Sequence, residues 1–143
     1  MTGPVSSGGP PYDPARVVEE AYRAWNAHGP RAFADFTTVD IELHDAPELP
    51  DAQVWRGRTA LVSRLEDFVA ATDGRWADID EIRRLDGEIL VCLTWRFDRS
   101  GSAPLASVYH VVRVEGDRIA RVRVFLDEAE ASSAVEGPAG GSS

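Results

Sequence analysis

The chain has 143 residues, 43% of them hydrophobic, and a formal net charge of −9 in which all 15 basic residues are arginine. That is one domain's worth of core; the lack of lysine excludes Schiff-base chemistry and a P-loop, and the acidic balance opposes a nucleic-acid partner. Cys92 is the single cysteine, no apolar run reaches membrane-span length, and the N-terminus lacks the pattern of a secretory signal, so the expectation is a soluble cytoplasmic protein without disulfide or membrane partner.

Residues 1–12 are rich in Gly, Ser and Pro, as are 129–143, and carry too few large apolar groups to offset the entropy of ordering. Both read as disordered tails around a single domain over 13–128. Asp13-Pro14 forms a helix N-cap with proline in the first turn, and Val18, Ala21, Tyr22 and Trp25 recur on one helical face. His28-Gly29-Pro30 closes that helix. A short second helix carries Phe33 and Phe36 toward the core. From Val39 the period becomes two: Ile41, Leu43 and Asp45 share one strand face, Glu42 and His44 the other. A proline-broken loop follows, and Trp55-Arg56-Gly57 opens a third helix over roughly 57–72 that places Leu61, Leu65, Phe68 and Val69 on one stripe. Asp73-Gly74 stops it. The remainder is strand and turn: 76–85 meets 88–97 across Asp86-Gly87, and 106–114 meets 118–126 across Glu115-Gly116-Asp117. Helices first and a meander afterwards predict an α+β fold, with helices covering one face of a curved, mainly antiparallel sheet.

Few side chains in this pattern carry chemistry. Asp45 sits on the apolar parity of its strand at the lip of a loop, where a carboxylate partly withdrawn from water suits a general base; the competing reading is a cap for the turn at Ala46-Pro47. His110 shares parity with Ala106, Val108, Val112 and Val114, and is either a pocket donor or a core histidine bonded to a backbone carbonyl. Tyr22, Trp25, Trp55 and Trp95 supply aromatic walls for a cavity or plain core packing. Leu65, Val108 and Val124 lie on the same apolar faces and complete the candidate ligand contacts. Three histidines and one cysteine without a paired short spacing predict no metal site. Cys92, of opposite parity to Val91 and Leu93, reads as a packed thiol. Tyr109, Val111 and Phe125 share the outward parity beside Arg121 and Arg123.

Val18 to Ala27 (VEEAYRAWNA), Trp55 to Leu61 (WRGRTAL) and Gly116-Asp117-Arg118-Ile119 make the chain resemble the nuclear-transport-factor-2-like superfamily, in particular its SnoaL-like members, over nearly the whole of 13–128. The resemblance implies a cone-shaped α+β roll, a small hydrophobic ligand, no cofactor, and a homodimer through the outer sheet face. Activity varies within such a superfamily, which holds isomerases, cyclases, hydrolases and binding domains. Ketosteroid isomerases resemble this chain in placing an aspartate base at the end of the first strand, a position that falls on Asp45. Their second carboxylic acid falls on His110, whose imidazole can also donate to an oxyanion. Their phenol falls on Ala21, with Tyr22 one residue further and about 100° round the helix. The Asp-Arg-Asp arrangement of related epoxide hydrolases has Arg64 and Asp127 available here. The expectation is a cofactor-independent isomerase or cyclase acting on a carbonyl-containing hydrophobic molecule, with Asp45 as base and His110 and Tyr22 steadying the enolate oxygen. The alternative is a non-catalytic ligand-binding or dimeric accessory domain of the same fold.

Overall fold

The computed structural model describes residues 13–85, 87–97 and 103–141. The expected N-terminal tail and Asp86 of the first hairpin turn lie outside the described residues. Helix α1 (Pro14–His28) starts as its sequence dictates: the Asp13 side chain accepts from the Ala15 amide at 3.1 Å, and Pro14 occupies the first turn. Its buried face holds Val18, Ala21, Tyr22 and Trp25. Gly29, at φ +95°, then turns the chain directly into α2 (Pro30–Ala34), a backbone conformation that a side chain disfavours.

Strand β1 (Thr37–His44) contains an irregularity that the sequence does not announce. Its pairing register shifts between Thr37 and Glu42, and Val39 is left 72% exposed there. Beyond the shift the predicted alternation holds, with Ile41 and Leu43 buried and Glu42 and His44 half-buried on the opposite face. The loop after Asp45 returns through a short strand, β2 (Val54–Arg56), antiparallel to β1. Gly57, at φ +93°, hands the chain to α3 (Arg58–Thr72), and Asp73 adopts the left-handed C-cap conformation at its end.

Four strands follow: β3 (Trp76–Leu85), β4 (Glu88–Arg96), β5 (Pro104–Glu115) and β6 (Arg118–Phe125). The sheet order is β2-β1-β6-β5-β4-β3, with β1 and β6 parallel and the other neighbours antiparallel. It is thus an open, mixed, mainly antiparallel sheet in an α+β arrangement. Helices α1 to α3 cover one face, and the main core, including Val18, Ile41, Leu61, Leu93, Val112 and Ile119, lies between them and the strands.

The other face differs from expectation at the C-terminal end. Helix α4 (Glu128–Gly141) occupies the stretch whose composition implies a flexible tail from 129. Its Ala131 is fully buried in a second cluster with Leu90, Cys92 and Val111, against which Tyr109 and Phe125 also pack. Outward-facing apolar residues on three adjacent strands make a patch, and a methyl-sized side chain lets a helix approach it closely. Among the described residues no helix is long and apolar enough to cross a membrane.

Candidate functional site

The strand parity predicted for His110 is correct, and its partner comes from the first helix. The Tyr22 hydroxyl lies 2.5 Å from His110 Nδ1, 88 residues apart in sequence and buried. Burial raises the phenol's pKa, and it lowers that of His110 to about 4. Desolvation penalises each charged form, so both groups are neutral near pH 7. Two neutral partners hold two protons between them, one on oxygen and one on the ring. Their mutual bond uses one, which leaves one N–H or O–H as a donor for something else.

That pair forms part of the wall of a small apolar cavity of about 30 Å³. Leu43 from β1, Leu61 and Leu65 from α3, Phe33 from α2 and Val122 from β6 supply the rest of its lining with Trp25 and Trp95. The cavity is small because aromatic rings fill the space: Trp95 packs at a tilt against Trp25 and Phe68, at centroid distances of 5.2 and 4.9 Å, and Tyr22 meets Phe33 edge-on at 5.3 Å. Of the expected ligand contacts, Trp25, Leu65 and Trp95 reach the cavity. Trp55, Val108 and Val124 instead belong to the surrounding core.

Asp45 is drawn in at the strand end, its side chain only 7% exposed. Its Oδ1 accepts from Arg64 Nε at 3.1 Å, and its Oδ2 from Trp55 Nε1 at 2.9 Å and the Gln53 amide at 3.3 Å. A carboxylate offers about four acceptor positions. Three are used, and the remaining one is on Oδ1. The turn-capping and pocket readings of Asp45 therefore coexist: one oxygen holds the β1–β2 loop, and the other shares itself with α3. Leu43, two residues earlier on the same strand face, and Leu65, next to Arg64, both line the cavity. His44 faces the other way and bonds Glu42 at 2.9 Å, with Arg56 also on Glu42.

A trio on the outer face, Glu81, Cys92 and Glu128, brings its ligand atoms within 4.8 Å of one another. Arg83 lies among them, 2.9 Å from Glu81 and ion-paired with Glu128. A guanidinium already balances those carboxylates, and burial raises the pKa of the Cys92 thiol, so the cluster is organised around arginine rather than a metal ion.

The SnoaL-like domain family matches residues 18–122, most of the chain. The chain belongs to that family. No curated protein of known function matches this SnoaL-like protein. Solved structures with the same fold include Bal32a from a soil-derived mobile gene cassette, at 16% identity and TM-score 0.65, covering 85% of this chain and 94% of that one. A proposed polyketide cyclase from Sinorhizobium meliloti aligns at 16% identity and TM-score 0.62, over 76% and 93% of the two chains. A hypothetical protein with a ketosteroid isomerase-like fold from Catenulispora acidiphila, solved in complex with trimethylamine, aligns at 13% identity and TM-score 0.60, over 90% and 95%. At such identities the likeness establishes the fold and nothing finer.

Two residues of this SnoaL-like domain escaped the sequence reading. Arg64 was available only as a member of an alternative arrangement, yet it is the direct partner of Asp45. The signal was present, because Arg64 borders the buried stripe at three residues from Leu61 and next to Leu65, where a charge needs a partner. Asn26 is the other. Its Nδ2 donates to the Ala77 carbonyl at 2.9 Å, and its Oδ1 accepts from the Ala77 amide at 2.7 Å.

Proposed function

We propose that this SnoaL-like protein binds a small carbonyl-bearing hydrophobic molecule and acts on it as a cofactor-independent isomerase or cyclase. Asp45 Oδ1 takes a proton from the carbon beside the carbonyl, and the electron pair moves onto the carbonyl oxygen. The spare donor of the Tyr22–His110 pair receives that charge, and return of the proton at another carbon, or attack of the enolate on a second carbonyl, completes the reaction. The observation that carries this reading is a neutral phenol–imidazole pair, 2.5 Å apart, in the wall of an apolar cavity. A buried donor that costs no reorganisation stabilises a developing oxyanion far better than water does.

Exchange of α-protons into deuterated water, followed by NMR over a panel of ketones from acetone to 2-tetralone, tests it. Asp45→Asn is expected to slow exchange by about 10²–10⁴-fold. Tyr22→Phe is expected to slow it by about 10²-fold with ketone binding retained. Catalysed exchange that persists in Asp45→Asn would overturn the role given to Asp45.

A second reading, ligand binding without chemistry, is favoured by the three donors already on Asp45, which leave its carboxylate little free acceptor capacity. It predicts thermal stabilisation by a ketone, unchanged in Asp45→Asn, with no proton exchange. Any homodimer would use the polar half of the outer sheet face, around Glu88, Arg121 and Arg123, because α4 occupies the apolar half. Sedimentation as a monomer would dismiss it.

A further inference from the structure

Helix α4 is attached to the domain in a different way from α1 and α3. Those two hold on by large side chains, Tyr22 and Trp25 from the one and Leu61, Leu65 and Phe68 from the other, whereas over 128–134 the one buried side chain of α4 is Ala131. A single methyl group takes little of the helix's own apolar surface out of water. Helix α4 also has little stability of its own. Its second half carries Gly137, Pro138, Gly140 and Gly141; glycine gives up the most backbone entropy on ordering, and proline has no amide to donate to the preceding turn. A segment of this length and composition is helical only while it is docked.

The start of α4 has the build of a pivot. Only Leu126 and Asp127, both exposed, separate β6 from the helix. Asp127 caps it: the side chain accepts from the Glu130 amide at 3.0 Å, and the carbonyl from the Ala131 amide at 3.1 Å. Glu128 pairs with Arg83 of β3, but Arg83 also has Glu81 at 2.9 Å on its own strand. Parting Arg83 from Glu128 therefore strands no guanidinium. Glu130 meets the Glu48 carboxyl of the β1–β2 loop, a contact that raises its pKa, so near neutral pH the contact opposes docking. What α4 covers is a continuous strip: Leu90 and Cys92 on β4 and Val111 on β5 are buried with Ala131, and Tyr109 and Phe125 pack against them.

We propose that α4 is a displaceable strap, which swings off about Leu126 and Asp127 while the rest of the domain stays folded and uncovers the strip of Leu90, Cys92 and Val111. Arg83 keeps Glu81 as the strap leaves, and the released segment gives up its helix. The strap thereby sets how much of the outer sheet face is open, without involving Tyr22, His110 or Asp45.

Cys92 is the single cysteine of the chain and lies under the strap, so its thiol reports the opening. The full chain is labelled with 5,5′-dithiobis(2-nitrobenzoate) at about pH 8, where a freed thiol is partly thiolate, over a urea series below the unfolding transition. Opening a strap exposes far less surface than global unfolding does. Labelling is therefore expected to rise only shallowly with urea, and to run at least about tenfold faster than global unfolding permits. Pro138→Ala gives the helix back an amide donor at a position outside the covered strip, and is expected to slow labelling without urea by roughly tenfold or more. Labelling with the full urea dependence of global unfolding would overturn the proposal, because α4 would then belong to the cooperative core. Labelling as fast as that of a free thiol would overturn it by showing Cys92 uncovered. A rate unchanged by Pro138→Ala would overturn it by placing the opening elsewhere.

Discussion

Two polar arrangements of this fold, Tyr22 with His110 and Asp45 with Arg64, handle desolvation in opposite ways. Tyr22 and His110 lie deep, between Trp95, Phe33 and Val122, and burial keeps both neutral. Asp45 and Arg64 form an ion pair at the end of β1, where the guanidinium remains 23% exposed. Depth decides which solution holds: a charge far from water is too costly to keep, whereas a charge at the lip keeps a wet partner and three hydrogen bonds. A site that needs both a neutral donor and a charged acceptor obtains them from one fold by placing them at different depths.

The largest effect expected from this contrast comes from acid. Burial pushes His110 down to about 4 from the ordinary 6.5, so between those values the unfolded chain is expected to bind more protons and stability to fall as pH falls. The contribution is fully present above about pH 6.5 and lost by about pH 4, amounting to as much as roughly 3 kcal/mol. Urea midpoints across that window, compared with those of His110→Phe, isolate it; an identical pH profile in the variant would erase the distinction between the two arrangements.

Next comes Arg64→Met, which leaves the Asp45 carboxylate with Trp55 and Gln53 but without its cation. The cost is expected at about 2–3 kcal/mol, lower than for a fully buried pair because the arginine is partly wet. Asp45→Asn/Arg64→Met together should recover part of that loss, and strict additivity in the double variant would argue against direct coupling. Tyr22→Phe removes the partner of His110 Nδ1 without emptying space, for roughly 1–2 kcal/mol in thermal or urea unfolding. The smallest effect belongs to the opposite sheet face: His44→Ala, which breaks a half-exposed contact with Glu42, is expected to change stability by no more than about 0.5 kcal/mol.

Strand parity was legible in the sequence wherever alternation was regular. Ile41, Leu43 and Asp45 point inward, and Val108, His110 and Val112 do so on β5, because a period of two leaves a half-buried strand no other choice. The pairing of Tyr22 with His110 was only half legible. A resemblance brought the two residues together, but their neutrality depends on burial that no spacing records. What stayed hidden depended on three-dimensional competition for the same space. The cavity is small because Trp25, Phe33 and Trp95 turn into it, with Phe68 packed behind Trp95. The register shift that exposes Val39 arises from pairing between β1 and β6, 75 or more residues apart in sequence. Helix α4 stands on a stretch with Gly137 and Pro138 and weak intrinsic preference for helix, which composition alone reads as tail. Its buried Ala131 rests on an apolar patch from three strands.

The amide of Asn26 carries one more consequence. Strand β3 is at an edge of the sheet, and edge strands invite another chain to add on by their open backbone groups. By gripping both the donor and the acceptor of Ala77, Asn26 imitates one residue of a neighbouring strand and closes that template at its start. The opposite edge, β2, is only three residues long. A sheet guarded in this way should resist fibrillar self-association, and Asn26→Ala is expected to accelerate thioflavin-positive aggregation on agitation well before it lowers the melting temperature appreciably.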